Sequence, residues 1–412
     1  MRTIVVAGAS MSGLRTVEAL RAGGWDERIV VVGDEPRMPY SRPPLSKGLW
    51  SQREDLAQLE LRRRPEADTA CWLLGTPVTR CDLAAGTLVV GDARELAFDG
   101  LVVATGVRPR RLVAPGPTAG RITLRTVEDF LAARASLEAG ARLMVVGSGF
   151  IGCEIAASAA GIGCEVDVVS LDEEPMQRPL GTTTGHAVRR RLEQHGVRFH
   201  RGRTVRAFEG HDRVERVVLD DGTTLPGDLV VECVGSVPNV EWLAGNGLDL
   251  ADGVRCDEHL RAAGAERVVV VGDVARFAEP MFGTAPRRVE HWGLAAPSGK
   301  HAAATLLADL GGTAPTDRAP FSTMPSFWSD QGPVRLQGFG ELAEADGSTV
   351  VEGSLDGDCA VAYTHGGRLV GLVLVGLVAR LAAWRGWFLQ HHGEDLSGLV
   401  PPPVADRVRT AG

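Results

Sequence analysis

The sequence predicts an α/β chain built from two Rossmann-like units and a small C-terminal α+β domain. Three observations carry this. Residues 3–35, "TIVVAGASMSGLRTVEALRAGGWDERIVVVGDE", read as strand, glycine turn, helix, strand and terminal acid. Residues 142–174, "RLMVVGSGFIGCEIAASAAGIGCEVDVVSLDEE", repeat that order. From about 326 to 400 the pattern changes to short β-rich runs separated by turns, after a Pro- and Thr-rich stretch at 313–325 that reads as a linker. The expected division is 1–112 with 246–318 as a first, discontinuous domain, 113–245 as a second and 319–412 as a third.

Composition bounds the class. A chain of 412 residues suits two or three domains, and 44% apolar with 23% charged residues is usual for a soluble globular protein. No apolar run approaches the roughly 20 residues needed to span a bilayer, and "LVGLVLVGL" is far too short. The opening "MRTIVVAGAS" runs straight into a strand-like segment rather than a signal-peptide pattern, so a cytoplasmic location without a membrane partner is expected. A net charge of −8 argues against nucleic acid. The seven cysteines are odd in number and lack a Cys-x-x-Cys pair, which speaks against a disulfide framework and against zinc or iron–sulfur sites. They read as buried, reduced thiols, and no metal is expected.

In each repeated unit an apolar run of four or five residues reads as a buried parallel strand. The following helices carry apolar residues at helical spacing: Leu14, Val17 and Leu20 in the first, Ile151, Ile155 and Ala159 in the second. The second turn is "GSGFIG", with Gly147, Gly149 and Gly152 enclosing Phe150 and Ile151. A turn of this kind between strand and helix sets a diphosphate on the helix N-terminus. The first turn is "GASMSG": Gly8, Ser10, Ser12 and Gly13, with serine where a middle glycine is usual. At the end of the next strand, Asp34 and Glu35 stand where an acid accepts hydrogen bonds from a ribose. "LAFDGLVVATGVRPR" is another buried strand, ending in Ala104-Thr105-Gly106, and "LPGDLVVECVGSVPN" is its counterpart, ending at Gly235. "ERVVVVGDVARF" ends in Gly272-Asp273, which places Asp273 to bond a ribityl chain. Two nucleotide sites in one chain suggest a flavin plus a nicotinamide.

One stretch stands apart. "RMPYSRPPLSKG", residues 37–48, packs three prolines, a tyrosine and three cations behind a clean strand. Its prolines forbid a helix interior or a central strand. It is either a rigid surface turn or a fixed loop presenting a cation.

With "PYSRPPLSK", "VVATGVRPR", "LRTVEDF", "GSGFIGCE", "GDVARF", "RVEHW" and "FWSDQ" in this order, nearly the whole chain resembles the FAD-dependent NAD(P)H:ferredoxin reductases of the putidaredoxin-reductase type, which serve bacterial cytochromes P450 and dioxygenases. The resemblance implies that the proline loop lies against the flavin, with Lys47 beside the isoalloxazine, where a cation stabilises the charge of reduced flavin. It places Ser12, Asp34, Val78, Arg125, Asp273 and Trp292 at FAD-contacting positions, to which Glu35, Arg42, Glu290 and His291 are added, and Glu154 near the nicotinamide. Trp328 begins the domain that covers the flavin. Lys47, Glu154 and Trp328 are the candidate catalytic residues. The implied activity is hydride transfer from a nicotinamide to FAD and single-electron delivery to a [2Fe–2S] ferredoxin that feeds a P450 or oxygenase, by a monomer or homodimer.

Three departures qualify this. Ser170 replaces the acid that usually ends the second strand of the nicotinamide unit; no arginine follows closely, and Asp172, Glu173 and Glu174 oppose a 2′-phosphate, so NADH is expected over NADPH, with Asp172 as the substitute acid. The helix start "EHWGLAAPSG" has Leu294, Pro297 and Ser298 where the family shows Asn, Glu and Gln. This is either drift repaired nearby or a remodelled site, and the alternative function is an FAD-dependent oxidase or dehydrogenase acting directly on a small organic substrate. Arg62-Arg63-Arg64 and Arg287-Arg288 are either solvated or part of a basic patch for an acidic ferredoxin. A disulfide or peroxide reductase is disfavoured, because the loop after Glu35 has Ser41 and no cysteine. A non-enzymatic flavin-binding scaffold would hold FAD without turnover.

Overall fold

The computed structural model describes residues 1–50, 55–281, 283, 285–311 and 319–403. Residues 313–318 of the expected linker lie outside the described residues.

Five parallel strands form the first sheet, in the spatial order Val268–Val270, Gly100–Val103, Thr3–Ala7, Arg28–Val32 and Cys71–Leu73. Their Val and Ile residues are continuous rather than alternating because both faces are covered: Ile4, Val5, Val6, Val30, Val31 and Val102 are all buried. Leu14, Val17 and Leu20 of the helix Met11–Ala22 are buried, as their spacing predicts. That helix packs on Ala295–Asp309. The approach is close, since a Cβ on Gly299 would stand 2.8 Å from Thr16 Oγ1.

The second sheet repeats this plan with Val197–Arg201, Glu165–Ser170, Arg142–Val146, Leu229–Glu232 and Arg121–Ile122, again all parallel. Its helix Phe150–Ala160 buries Ile155 and Ala159. Ile151 departs from the expected stripe: it is 51% exposed, an apolar side chain left uncovered in the first turn. Each unit also carries an antiparallel three-stranded sheet, Val78–Asp82, Thr87–Val90 and Arg94–Ala97 in one, Val205–Glu209, Arg216–Leu219 and Thr224–Pro226 in the other. The segments Val107–Pro109 and Ser236–Pro238 pair antiparallel as a strap between the units.

The C-terminal region is an antiparallel sheet in the order Ser326–Gln331, Val334–Gly340, Arg368–Val375, Cys359–His365 and Gly347–Gly353. Successive residues face opposite ways. Ala360, Ala362, Leu372 and Leu374 join Trp384 and Phe388 of the helix Leu381–His391 in one core. Val361, Tyr363, Val373 and Val375 join a second core with Cys153, Ile155 and Ala156 of the second glycine-turn helix, Leu45 of the proline loop and Trp50 just after it. This sheet therefore seats the third region on the second unit and on the loop at once.

Candidate functional site

The two glycine turns are built alike. Gly8 has φ +126°, and a Cβ there would lie 2.1 Å from the carbonyl oxygen of Ala104; Gly147 has φ +107°, and a Cβ would lie 2.2 Å from that of Cys233. In both, the turn is drawn tight over the end of the neighbouring strand, so the following helix starts at the sheet's carboxyl edge. Ser10 and Gly149 occupy the two helix N-caps, and neither supplies a side-chain cap. The first N–H groups of both helices are thus available to an anion. A Cβ on Gly149 would meet no atom within 4 Å, so the backbone there faces open space. A Cβ on Gly272 would stand 2.3 Å from Ser12 Oγ, which brings the Gly272-Asp273 turn against the first glycine turn ending at Gly13. Thr105 Oγ1 donates to the Asn239 carbonyl at 2.7 Å, Asn239 Nδ2 donates to the Thr105 carbonyl at 2.9 Å, and the Gly106 carbonyl accepts from the Asn239 amide at 3.0 Å.

The proline loop is a fixed structure. Pro43–Ser46 form a single 3-10 turn with proline leading it. Arg42 is the anchor: it pairs with Glu35, donates to Tyr40 Oη at 2.8 Å and to the Arg125 carbonyl at 2.8 Å. Tyr40 Oη in turn donates to Glu35 at 2.5 Å. Of the two expected ribose acids, Glu35 is thus spent on the loop, while Asp34 is exposed. Burial lowers the Arg125 pKa, and the nearby Arg42 charge adds to this, while Asp273 at 3.7 Å opposes it. Burial raises the Asp273 carboxyl. His291 is pushed down to about 4 by burial. Its ring lies 5.9 Å from that of Phe327. Glu290 is engaged by Ser236 Oγ and by Arg288, each at 2.6 Å. Val78 and Trp292 are half-buried. Arg42 Nε and His291 Nδ1 are buried without a hydrogen-bond partner. Two half-buried guanidinium groups, orphaned polar atoms and uncapped helix N–H groups fit the diphosphate and polar edge of FAD.

Lys47 Nζ donates to Glu154 Oε2 at 2.7 Å; Glu154 is buried and Lys47 half-buried. Ser46 Oγ donates to the same carboxylate at 2.5 Å and Ser329 Oγ at 2.6 Å. Gln331 Nε2 donates to Ser329 Oγ at 3.0 Å. The ring of Phe150 lies 4.7 Å from that of Phe327. Trp328, on the opposite face of that strand, is 40% exposed. The sequence reading named Lys47, Glu154 and Trp328 but missed Ser46, Ser329 and Gln331. The alternation in "FWSDQ" puts Ser329 and Gln331 on the face away from Trp328, but only the docking of the strand on the second unit shows what they touch.

At the second unit's ribose edge, Ser170 Oγ and Ser148 Oγ are 2.6 Å apart and buried. The Asp172 amide donates to Ser170 Oγ at 3.2 Å, and its carboxylate lies 4.0 Å from Arg178. The Gly235 carbonyl accepts from the Arg110 amide at 2.9 Å. In the altered helix start Leu294 and Ser298 are buried, Pro297 is exposed, and the Gly272 amide donates to Ser298 Oγ at 3.3 Å. Arg287 pairs with Glu341, Arg288 with Asp252 and Glu290, and Arg63 with Glu60 and Asp68. No helix among the described residues is long and apolar enough to cross a membrane.

Comparison with known proteins agrees with this geometry. Residues 2–299 match the family model for pyridine nucleotide-disulphide oxidoreductases, and residues 326–399 match the reductase C-terminal model. The chain is 34% identical over 406 residues to the ferredoxin–NAD(+) reductase component of the p-cumate 2,3-dioxygenase system of Pseudomonas putida, covering 97% of this chain and 96% of that one. It superposes with TM-score 0.87 and 32% identity on the ferredoxin reductase for the CYP199A2 system of Rhodopseudomonas palustris, over 96% of this chain and 98% of that one. Against the covalent putidaredoxin reductase–putidaredoxin complex the TM-score is 0.85 at 30% identity, over 95% of this chain and 93% of the other. The chain belongs to the pyridine nucleotide-disulphide oxidoreductase family and carries its reductase C-terminal domain.

Proposed function

We propose that this protein is an FAD-dependent ferredoxin reductase: it takes hydride from NADH in preference to NADPH and passes single electrons to a [2Fe–2S] ferredoxin that feeds a P450 or oxygenase. When bound, FAD supplies the two-electron-in, one-electron-out chemistry. The observation that carries the reading is the Lys47–Glu154 pair, a half-buried cation on a buried carboxylate, set where the proline loop, the second glycine-turn helix and the C-terminal strand converge.

The protein's contribution is position and charge. Ser10, Ser12, Gly8 and Gly13 shape the anion site at the first helix, with Arg42 and Arg125 countering its charge; Gly147, Gly149 and Gly152 do so at the second. Lys47, on a loop that Arg42, Pro43 and Pro44 hold rigid, would supply a preorganised cation to bound flavin. Ser329 and Gln331 are both fully buried beside the Lys47–Glu154 pair. Trp328 faces outward on the same strand, where a ferredoxin would dock. No side chain is required as acid, base or nucleophile. The relatives' own names support the partner class: one works with a dioxygenase system, and one is seen joined to putidaredoxin. Sheet membership supports the division of the chain at 1–112 with 246–318, 113–245 and 319–412. Seven free cysteines support a cytoplasmic location.

The direct-oxidase alternative is not favoured. Ser298 accepts a hydrogen bond from Gly272 and Leu294 packs inward, so the altered helix start is repaired internally. The test is an anaerobic titration of the FAD-loaded protein with NADH and then NADPH, followed by flavin absorbance. Bleaching by NADH at lower concentration supports the reading; bound FAD that neither reduces would sink it.

A further inference from the structure

Glu154 is held by three donors from two segments far from it in the chain. Its Oε2 accepts from Ser46 Oγ at 2.5 Å and Lys47 Nζ at 2.7 Å, and its Oε1 accepts from Ser329 Oγ at 2.6 Å. Gln331 Nε2 lies 3.0 Å from Ser329 Oγ, and an amide nitrogen can only donate. The Ser329 proton is therefore directed at Glu154, and both carboxylate oxygens are occupied. A carboxylate bonded on both oxygens cannot swing about its last torsion without leaving a buried donor unpaired, which is costly. Ser329 and Gln331 are fully buried.

We propose that Ser329 and Gln331 are positioning residues for flavin reduction: they fix Glu154, and through it the Lys47 ammonium, so that the C-terminal domain completes the redox site of the other two. The inference rests on the reductase reading above. Without the Ser329 hydroxyl, Oε1 loses its donor and the carboxylate turns both oxygens onto Lys47. The ammonium is drawn toward Glu154 and away from the flavin edge, and the reduced flavin loses stabilisation.

The test compares Ser329→Ala, Ser329→Thr and Gln331→Met in the full, FAD-loaded chain. Three quantities are read: FAD content, the NADH dependence of anaerobic flavin reduction, and the midpoint potential of the bound flavin by dye equilibration without nicotinamide. Ser329→Ala is expected to retain FAD, keep the half-saturating NADH within about twofold, lower the limiting rate about tenfold and move the potential to a more negative value. Ser329→Thr, which keeps the hydroxyl, restores both. Gln331→Met, close in volume, shifts both in the same direction by less. Wild-type rate and potential in FAD-loaded Ser329→Ala would overturn the proposal; should that variant not fold, wild-type values in Gln331→Met overturn it equally. If neither nicotinamide reduces the wild-type protein, the reductase reading falls, while the potential comparison still decides the positioning role.

Discussion

Replacing Gly149 by alanine separates binding from folding at the second glycine turn. Gly149 is the N-cap of its helix with φ −72°, a value any residue adopts, and a Cβ there meets no protein atom within 4 Å. Folding should lose only the preference of an N-cap for glycine over alanine, about 1 kcal/mol at most, or a Tm drop of no more than about 4 °C. A dinucleotide on this turn must bring its diphosphate against that backbone, and the new methyl occupies the approach. Overpacking of this kind costs about 1–3 kcal/mol, so the half-saturating NADH should rise about 5- to 150-fold. The assay is stopped-flow flavin reduction across NADH concentrations, beside thermal unfolding and FAD content. Gly147→Ala is the contrast: its Cβ would lie 2.2 Å from the Cys233 carbonyl at φ +107°, so it should fail through folding. An FAD-loaded Gly149→Ala protein with wild-type NADH dependence would refute the placement of the nicotinamide dinucleotide on this turn.

Lys47→Met should leave Glu154 buried without its cation, at a cost of about 3–5 kcal/mol, and make the bound flavin harder to reduce; adding Glu154→Gln should recover part of the lost Tm but not the potential. At Asp167, burial pushes the carboxyl up, but hydrogen bonds from His200 at 2.8 Å and from Arg198 at 2.8 and 3.0 Å win and hold it at about 2 against an ordinary 3.8. A depressed carboxyl adds stability that is fully present above about pH 4 and lost as pH falls through 2, here about 2 kcal/mol, so Asp167→Asn should flatten the acid limb of a stability–pH profile over that window. Burial raises the Cys153 and Cys233 thiols, Cys233 to about 12, whereas Cys71 is exposed; iodoacetamide at pH 8 should label Cys71, spare the other two by peptide mass analysis, and leave flavin reduction unchanged.

The fold was legible because its signals are local. Strand runs such as "TIVVA" and "RLMVV" are apolar on both faces, and the glycines at 8 and 147 stand where only a residue without Cβ clears the next strand's carbonyl. Lys47 was legible as a cation on a loop that three prolines stiffen. The helical stripe was read one turn too early, at Ile151, because spacing alone does not say where a helix meets its sheet.

What the sequence by itself determined is a pair of dinucleotide turns, their strand–helix context and the rigid basic loop between them, since each depends on neighbours within a few residues. What only the tertiary structure decided is how charge is matched across the chain: Arg42 onto Glu35 and the Arg125 carbonyl, Lys47 onto Glu154, and Ser329 onto the same carboxylate. Between Lys47 and Glu154 lie about a hundred residues, and between Glu154 and Ser329 still more. No periodicity or spacing encodes such pairings. They follow from how the proline loop packs on both units and the C-terminal sheet on the second, which leaves each buried polar group to find its partner there.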